Sequence, residues 1–89
     1  MEFRWNAWNL DHAAKHGVDV PAEAEMVVKG ACRPYPEHRG DGKWIVIGRG
    51  HGGRFVQVIF VVDPDGTIYV IHARPLDDNE KRRYRRRVR

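Results

Sequence analysis

The stretch RFVQVIFVVDPDGTIYVIHA, residues 54–73, determines the predicted fold. Arg54 to Val62 is apolar on both faces apart from one Gln, which predicts a central strand. Asp63-Pro64-Asp65-Gly66 has Pro at the second position of a tight turn and Gly at the fourth, as such turns favour. Thr67 to Ala73 is then the partner strand, and Pro75 ends it. The stretch therefore predicts an antiparallel hairpin in the middle of a sheet.

Two helices are predicted before the sheet. Asn6 can cap a helix that runs to about His16, where Gly17 is a natural residue for the helix end. A second helix is predicted to begin at residues 19–21, with Pro near its first turn, and to end at Gly30.

Further strands complete the sheet. Residues 31–35 and 43–48 are predicted to join the hairpin, and 36–42 is predicted to be a loop. Phe3-Arg4-Trp5 alternates apolar and polar residues, which indicates a short additional strand. The predicted fold class is α+β: two N-terminal helices, a four-stranded and mainly antiparallel meander sheet, and a C-terminal basic helix, all in one domain over residues 1–89.

The C-terminal segment concentrates the positive charge. Residues 81–89 contain seven of the sixteen basic residues and no acidic one. Asp77 and Glu80 have the spacing of a capping box, so the segment is predicted to be helical and to pack through Leu76 and Tyr84. An anionic partner, either nucleic acid or an acidic protein, would suit it; the alternative is a solvated helix end whose cations favour the helix dipole. The candidate contact residues are Lys81, Arg82, Arg83, Arg85, Arg86 and Arg87.

The cysteine and histidine residues do not predict a cofactor. Cys32 is the single cysteine, which excludes an intrachain disulfide and a zinc site made of cysteines, and fits the cytoplasm. His12 and His16 share one helix face, but the spacing of the sequence indicates no third ligand. A structural role for His16 at the helix end is therefore preferred to a metal site, and a histidine-based metal hydrolase ranks last among the functions considered.

A phosphate clamp is predicted at one end of the hairpin. Counting outward from the turn places Arg54 opposite Pro75, so that Arg54 and Arg74 should lie close together, with His72 on the same face as Arg74. Two converging guanidinium groups can stabilise an oxyanion or a phosphate. The alternative is a pair of exposed charges without a task.

Several short motifs, in order along almost the whole chain, resemble the BrnT family of bacterial type II toxins. The residues that carry the resemblance are Phe3-x-Trp5, Asn9, Lys15-His16-Gly17-Val18, Asp41, Ile47-Gly48, Gly53-Arg54, Ile71-x-Ala73-Arg74 and Glu80-x-Arg82-Arg83-Tyr84.

The resemblance implies a RelE-like ribonuclease fold and an endoribonuclease that cleaves mRNA without a metal. The ribose 2′-OH would attack the adjacent phosphate, which requires a base, an acid and cations. Arg54 and Arg74 are the candidates for stabilising the negative charge of the transition state. Lys15, His72 and Tyr84 are candidates for proton transfer, and Tyr84 is also a candidate for stacking. The implied partners are a BrnA-like antitoxin and RNA or the ribosome, with DNA contacted only through the antitoxin and no membrane. The alternative is an RNA- or antitoxin-binding module of the same fold with weak catalysis.

Overall fold

A computed structural model describes residues 1–31 and 36–87 of the chain. In order along the chain, the elements are β1 (Phe3–Arg4), α1 (Ala7–Lys15), α2 (Pro21–Gly30), β2 (Glu37–His38), β3 (Lys43–Arg49), a short 3₁₀ turn (His51–Gly53), β4 (Phe55–Val62), β5 (Ile68–Pro75) and α3 (Asp78–Arg87).

The α+β class is confirmed, with three helices and a five-stranded mixed sheet. The strand order is β1-β5-β4-β3-β2, so the predicted central strand β4 does lie in the middle. Strands β2 to β5 pair antiparallel with their neighbours, while β1 pairs parallel with β5 and makes the sheet mixed. The short additional strand predicted at Phe3-Arg4-Trp5 is thus present as β1, and the predicted four-stranded meander fits the five-stranded mixed sheet only roughly.

One strand assignment is corrected. Glu37–His38 forms β2, inside a segment predicted to be a loop, because its backbone pairs with Trp44 and Ile45 of β3. The predicted strand at 31–35 lies largely outside the described residues. Gly40, Asp41 and Gly42 all have positive φ, so the tight connection between β2 and β3 uses two glycines where other residues would be strained.

Local sequence signals set the helix ends. The Asn6 side chain accepts from the Asn9 backbone N–H, and the Asn9 side chain accepts from the Asn6 backbone N–H, so the predicted cap is present as a reciprocal box. Asp77 and Glu80 form the same arrangement at the start of α3, at 2.8 and 3.0 Å. Asn9 is buried and also donates to the carbonyls of Arg4 and Val70, which fixes α1 against β1 and β5.

The sheet has two different faces. Helices α1 and α2 cover one face, where Val46, Val56, Val58 and Val70 pack with residues of α2 in the main core. On the other face, Phe55, Leu76 and Tyr84 form a second, smaller cluster that holds α3. The predicted packing of α3 through Leu76 and Tyr84 is confirmed.

A bulge in β5 decides which side chains face the open surface. Phe60 pairs with Val70 but Ile59 pairs with His72, so one extra residue, Ile71, stands in β5. Beyond this point β5 is shifted by one, and His72 and Arg74 pair with Ile59 and Gln57 on the face opposite the main core. With an unbroken register they would have pointed toward α1 and α2. Bulges commonly re-aim side chains in this way beside functional sites.

Among the described residues, no helix is both long enough and apolar enough to cross a membrane.

Candidate functional site

A concave surface on the open face of the sheet brings four basic side chains together with one carboxylate, that of Asp41. Arg39 comes from the connection between β2 and β3, Lys43 is the first residue of β3, and His72 and Arg74 come from β5 beyond the bulge. Gln57 and Ile59 of the central strand form its floor. We call this surface the basic pocket. Its cations suit a phosphate backbone, and its imidazole is a group that can transfer protons near neutral pH.

His72 is the central group of the basic pocket. Strand β1 pairs only with Ile68 and Tyr69 of β5, and past that point His72 reaches helix α1, where its Nδ1 lies 3.2 Å from Nε2 of His12. Burial, and then the neighbouring His16, His12 and Arg74, lower the pKa of His72 below its ordinary value. His72 is therefore a neutral imidazole at neutral pH, the form that can accept a proton.

The contact with His12 bears on which nitrogen of His72 can act. When His72 donates its Nδ1–H to His12, its Nε2 keeps a free lone pair and can accept a proton. His12 then holds the imidazole in the tautomer that a base requires. The Trp8 ring stacks on His12 at 4.9 Å between ring centroids, nearly parallel, and supports the His12 ring from the other side.

Arg74 lies in the basic pocket but is tied to α3. Its guanidinium donates to both carboxylate oxygens of Glu80, at 2.6 and 2.5 Å. This pair, with the Asp77 backbone N–H next in importance, lowers the pKa of Glu80 to about 2. A bidentate pair of this kind fixes geometry strongly, so Arg74 has a structural role in docking the first turn of α3.

The predicted clamp between Arg54 and Arg74 is wrong. The Arg54 side chain lies on the helix-covered side, where it donates to Glu23 of α2 at 2.6 and 2.8 Å and to the Gly17 carbonyl at 2.8 Å. Arg74 faces the opposite side of the sheet with Gln57. The physical reason is the bulge in β5, which turns Arg74 to the face opposite that of Arg54.

Lys15 and Tyr84 lie away from the centre of the basic pocket. Lys15 is exposed at the end of α1 and pairs with Asp11 at 3.0 Å. Tyr84 is buried: its ring packs on Phe55, and its hydroxyl group donates to the Ile47 carbonyl at 3.4 Å. Their catalytic roles stay predictions, and the surroundings of Tyr84 are those of a packing residue.

The six predicted contact residues of α3 are exposed except Lys81, which is half-buried. Lys81 approaches Asp78 at 3.8 Å, Arg82 contacts Asn79, and Arg87 lies 4.0 Å from Glu37. Arg85 stands over the Phe55 ring at 5.7 Å, and Arg83 lines a second cleft between β3 and α3. Arg86 is exposed near the C-terminal end of the helix. Together they present a basic helix face to solvent.

Four residues that the structure brings to or beside His72 were not predicted for this site, although His12 and His16 had been considered as a metal-binding pair. Arg39 and Lys43 line the same pocket, and His12 and His16 contact the His72 ring. Strand pairing gives the signal for Lys43: residues 43, 45, 57 and 59 share one face by alternation.

No protein-family model and no curated protein sequence matches this chain.

Proposed function

We propose that the chain is an endoribonuclease toxin of a type II toxin–antitoxin system, with the RelE-like fold that its resemblance to the BrnT family implies. It cleaves mRNA in the cytoplasm, inhibits translation, and is neutralised by a BrnA-like antitoxin. The observation that carries the proposal is the basic pocket, where a neutral His72 stands among Arg39, Lys43 and Arg74.

The reaction uses groups of the chain itself. Nε2 of His72 takes the proton of the ribose 2′-OH, whose oxygen attacks the adjacent phosphorus as the bond to the 5′-oxygen breaks. The products are a 2′,3′-cyclic phosphate and a free 5′-hydroxyl group. Arg39 and Lys43 stabilise the added negative charge of the transition state. Lys43 is the candidate acid for the leaving oxygen, since a guanidinium group does not release its proton.

A second candidate function, an RNA- or antitoxin-binding module with weak catalysis, is favoured by the state of Arg74. Both oxygens of Glu80 already occupy its guanidinium group, so a phosphate would have to compete with a carboxylate for it. The exposed cations of α3 would then form the main contact surface, as an electrostatic grip without chemistry.

Cleavage of RNA by the purified chain separates the two functions. The folded wild type should produce fragments that end in 2′,3′-cyclic phosphate, in the presence of a chelator. His72→Gln should lower the rate at least about 100-fold, the usual contribution of a general base. His51→Gln is the matched control, because His51 is exposed and its hydrogen bond to Glu23 comes from the backbone N–H, which the substitution keeps.

The binding module predicts a different result. A folded wild type that binds RNA but does not cleave it, and does not arrest growth when induced in bacteria, would refute the ribonuclease. Equal cleavage rates for wild type and His72→Gln would keep the ribonuclease but refute His72 as its base.

A further inference from the structure

Three histidines meet where the C-terminal half of α1 crosses the edge of β5. His12 and His16 are one helical turn apart on α1, and His72 follows the bulge in β5. Their ring centroids lie 4.6 Å (His12–His16), 4.9 Å (His16–His72) and 5.3 Å (His12–His72) apart. One ring nitrogen of each can be chosen so that all three lie within 4.8 Å of one another.

The spacing of these nitrogens suits one metal ion. Two nitrogens bound to the same tetrahedral Zn²⁺, at Zn–N distances of about 2.0–2.1 Å, are about 3.3 Å apart. Nε2 of His12 and Nδ1 of His72 already lie 3.2 Å apart. One nitrogen of each of the three rings lies within 4.8 Å of the others, so His16 stands close enough to be the third ligand of the same ion.

The backbone prepares His16 for this role. Nδ1 of His16 lies 2.8 Å from the His12 carbonyl oxygen, to which only a protonated Nδ1 can donate. The proton therefore stays on Nδ1, and Nε2 carries the free lone pair. An N–H donated to a backbone carbonyl is the usual support for a metal-binding histidine.

We propose that His12, His16 and His72 form a binding site for a divalent transition metal ion such as Zn²⁺, with three imidazole ligands and an open fourth position. Imidazole is a preferred ligand of Zn²⁺, Ni²⁺ and Cu²⁺, and three histidines with one open position is a known zinc arrangement. Arg74 is a nearby cation, but its repulsion of a metal ion is reduced because Glu80 pairs with it at 2.5 Å and neutralises its charge.

Metal binding would have a consequence for the basic pocket. An ion on Nδ1 of His72 leaves the ring proton on Nε2, so that His72 can no longer accept a proton there. This consequence rests on the proposed ribonuclease function: with His72 as the base, the bound metal inhibits RNA cleavage. The binding itself does not depend on that function.

Calorimetric titration of the untagged, full-length chain with Zn²⁺, in the absence of RNA, tests the site directly. The same titration in a Cys32→Ser background removes the single thiol as a ligand. We expect one ion per chain. The affinity for Zn²⁺ should be at least about tenfold lower in His12→Gln, His16→Gln and His72→Gln, because replacing even a residue that only supports a metal ligand lowers metal affinity about 10- to 100-fold. Titration with Co²⁺ should give the visible absorption bands of a tetrahedral complex.

The control is the double variant His38→Gln/His51→Gln, which removes two histidines outside the cluster. His16→Gln is the most informative variant, because His16 is exposed at a helix end and its replacement leaves the core unchanged. Absence of stoichiometric binding, or equal affinity in the wild type and His16→Gln, would refute the site. Failure of RNA cleavage with intact Zn²⁺ binding would refute only the ribonuclease.

Discussion

The ion pair between Glu23 and Arg54 predicts that replacing either partner lowers the stability of the fold, but by unequal amounts. The Glu23 side chain is 3% exposed, whereas the Arg54 side chain is 41% exposed. Arg54→Ala therefore leaves a buried carboxylate whose remaining donor in the described part of the chain is the His51 backbone N–H, at 2.9 Å. Glu23→Gln instead leaves a guanidinium group that water can reach. Removing the arginine should cost more than removing the negative charge.

The magnitudes follow from the hydrogen bonds that are lost. Breaking a buried pair from one side costs about 3–5 kcal/mol. Because water can partly fill the space that Arg54 leaves, we expect about 2–4 kcal/mol for Arg54→Ala at pH 7. We expect about 1–2 kcal/mol for Glu23→Gln, which keeps its shape and one acceptor oxygen. The total stability of a domain of this size is about 5–13 kcal/mol, so the first change is severe.

The pH dependence identifies the cause. Hydrogen bonding to Arg54 lowers the pKa of Glu23, so the pair stabilises the wild type fully above the unfolded value of about 4.5 and loses this contribution as pH falls through the lower folded pKa. In Arg54→Ala, burial without the guanidinium group raises the pKa of Glu23, and protonation relieves the buried charge. The difference in unfolding free energy between wild type and Arg54→Ala should therefore shrink from pH 7 to pH 4.

Urea unfolding followed by circular dichroism at several pH values measures these differences. Arg86→Ala is the control: it removes an exposed arginine, and its effect should stay within about 0.5 kcal/mol. A cost below about 1 kcal/mol for Arg54→Ala at pH 7, or a cost independent of pH, would refute the reasoning. The lower stability of Arg54→Ala would by itself explain a loss of toxicity, so such a loss would not show that Arg54 is catalytic.

Two further predictions concern the carboxylates Glu23 and Glu80. A Cβ at Gly50 would collide with the Glu23 carboxylate, which Arg54 and His51 hold in place, so Gly50→Ala should lower the unfolding free energy by about 1–3 kcal/mol. Gly30→Ala is the control: its Cβ would meet open space, so it should be neutral or stabilising in the same urea titration. Equal effects of the two substitutions would contradict the contact between Gly50 and Glu23. Glu80→Gln should lower the unfolding free energy by about 1–3 kcal/mol at pH 7, because it weakens the pair with Arg74. The folded pKa of Glu80 is about 2 against an ordinary 4.5, so the difference from wild type should disappear as pH falls from about 4.5 toward 2. A difference that stays constant in acid unfolding would contradict this prediction.

Local signals in the sequence predicted much of the fold. The capping residues Asn6 and Asp77, the turn at residues 63–66 and the apolar central strand all concern neighbours within a few positions, and the structure contains each of them. The two-residue strand β2 was missed because a pair so short has no periodicity of its own and is fixed by its partner β3.

The site was less predictable because it depends on the register of distant residues. Counting from the turn placed Arg54 opposite Pro75. In the structure Asp63 bonds to Thr67 instead of facing Gly66, which shifts the register by one residue, and the bulge at Ile71 shifts it by one more, so Val56 lies opposite Pro75. Without the bulge Arg74 would have paired with Val56, on the face that Arg54 shares by alternation, so the bulge separates the two arginines. The meeting of His72 with His12 could not be read from spacing, because sixty residues and the docking of α1 on β5 lie between them.

The partners of each cation decide which one can serve the basic pocket. Arg54 and Arg74, the two arginines that the sequence favoured, each pair with a carboxylate that the fold needs, Glu23 in α2 and Glu80 at the start of α3. Arg39 and Lys43 are exposed at the rim and form no ion pair with any residue of the described ranges. A phosphate that binds them gains attraction without breaking a structural pair. The free cations beside His72, and not the ordered ones, are therefore the better candidates for binding the substrate.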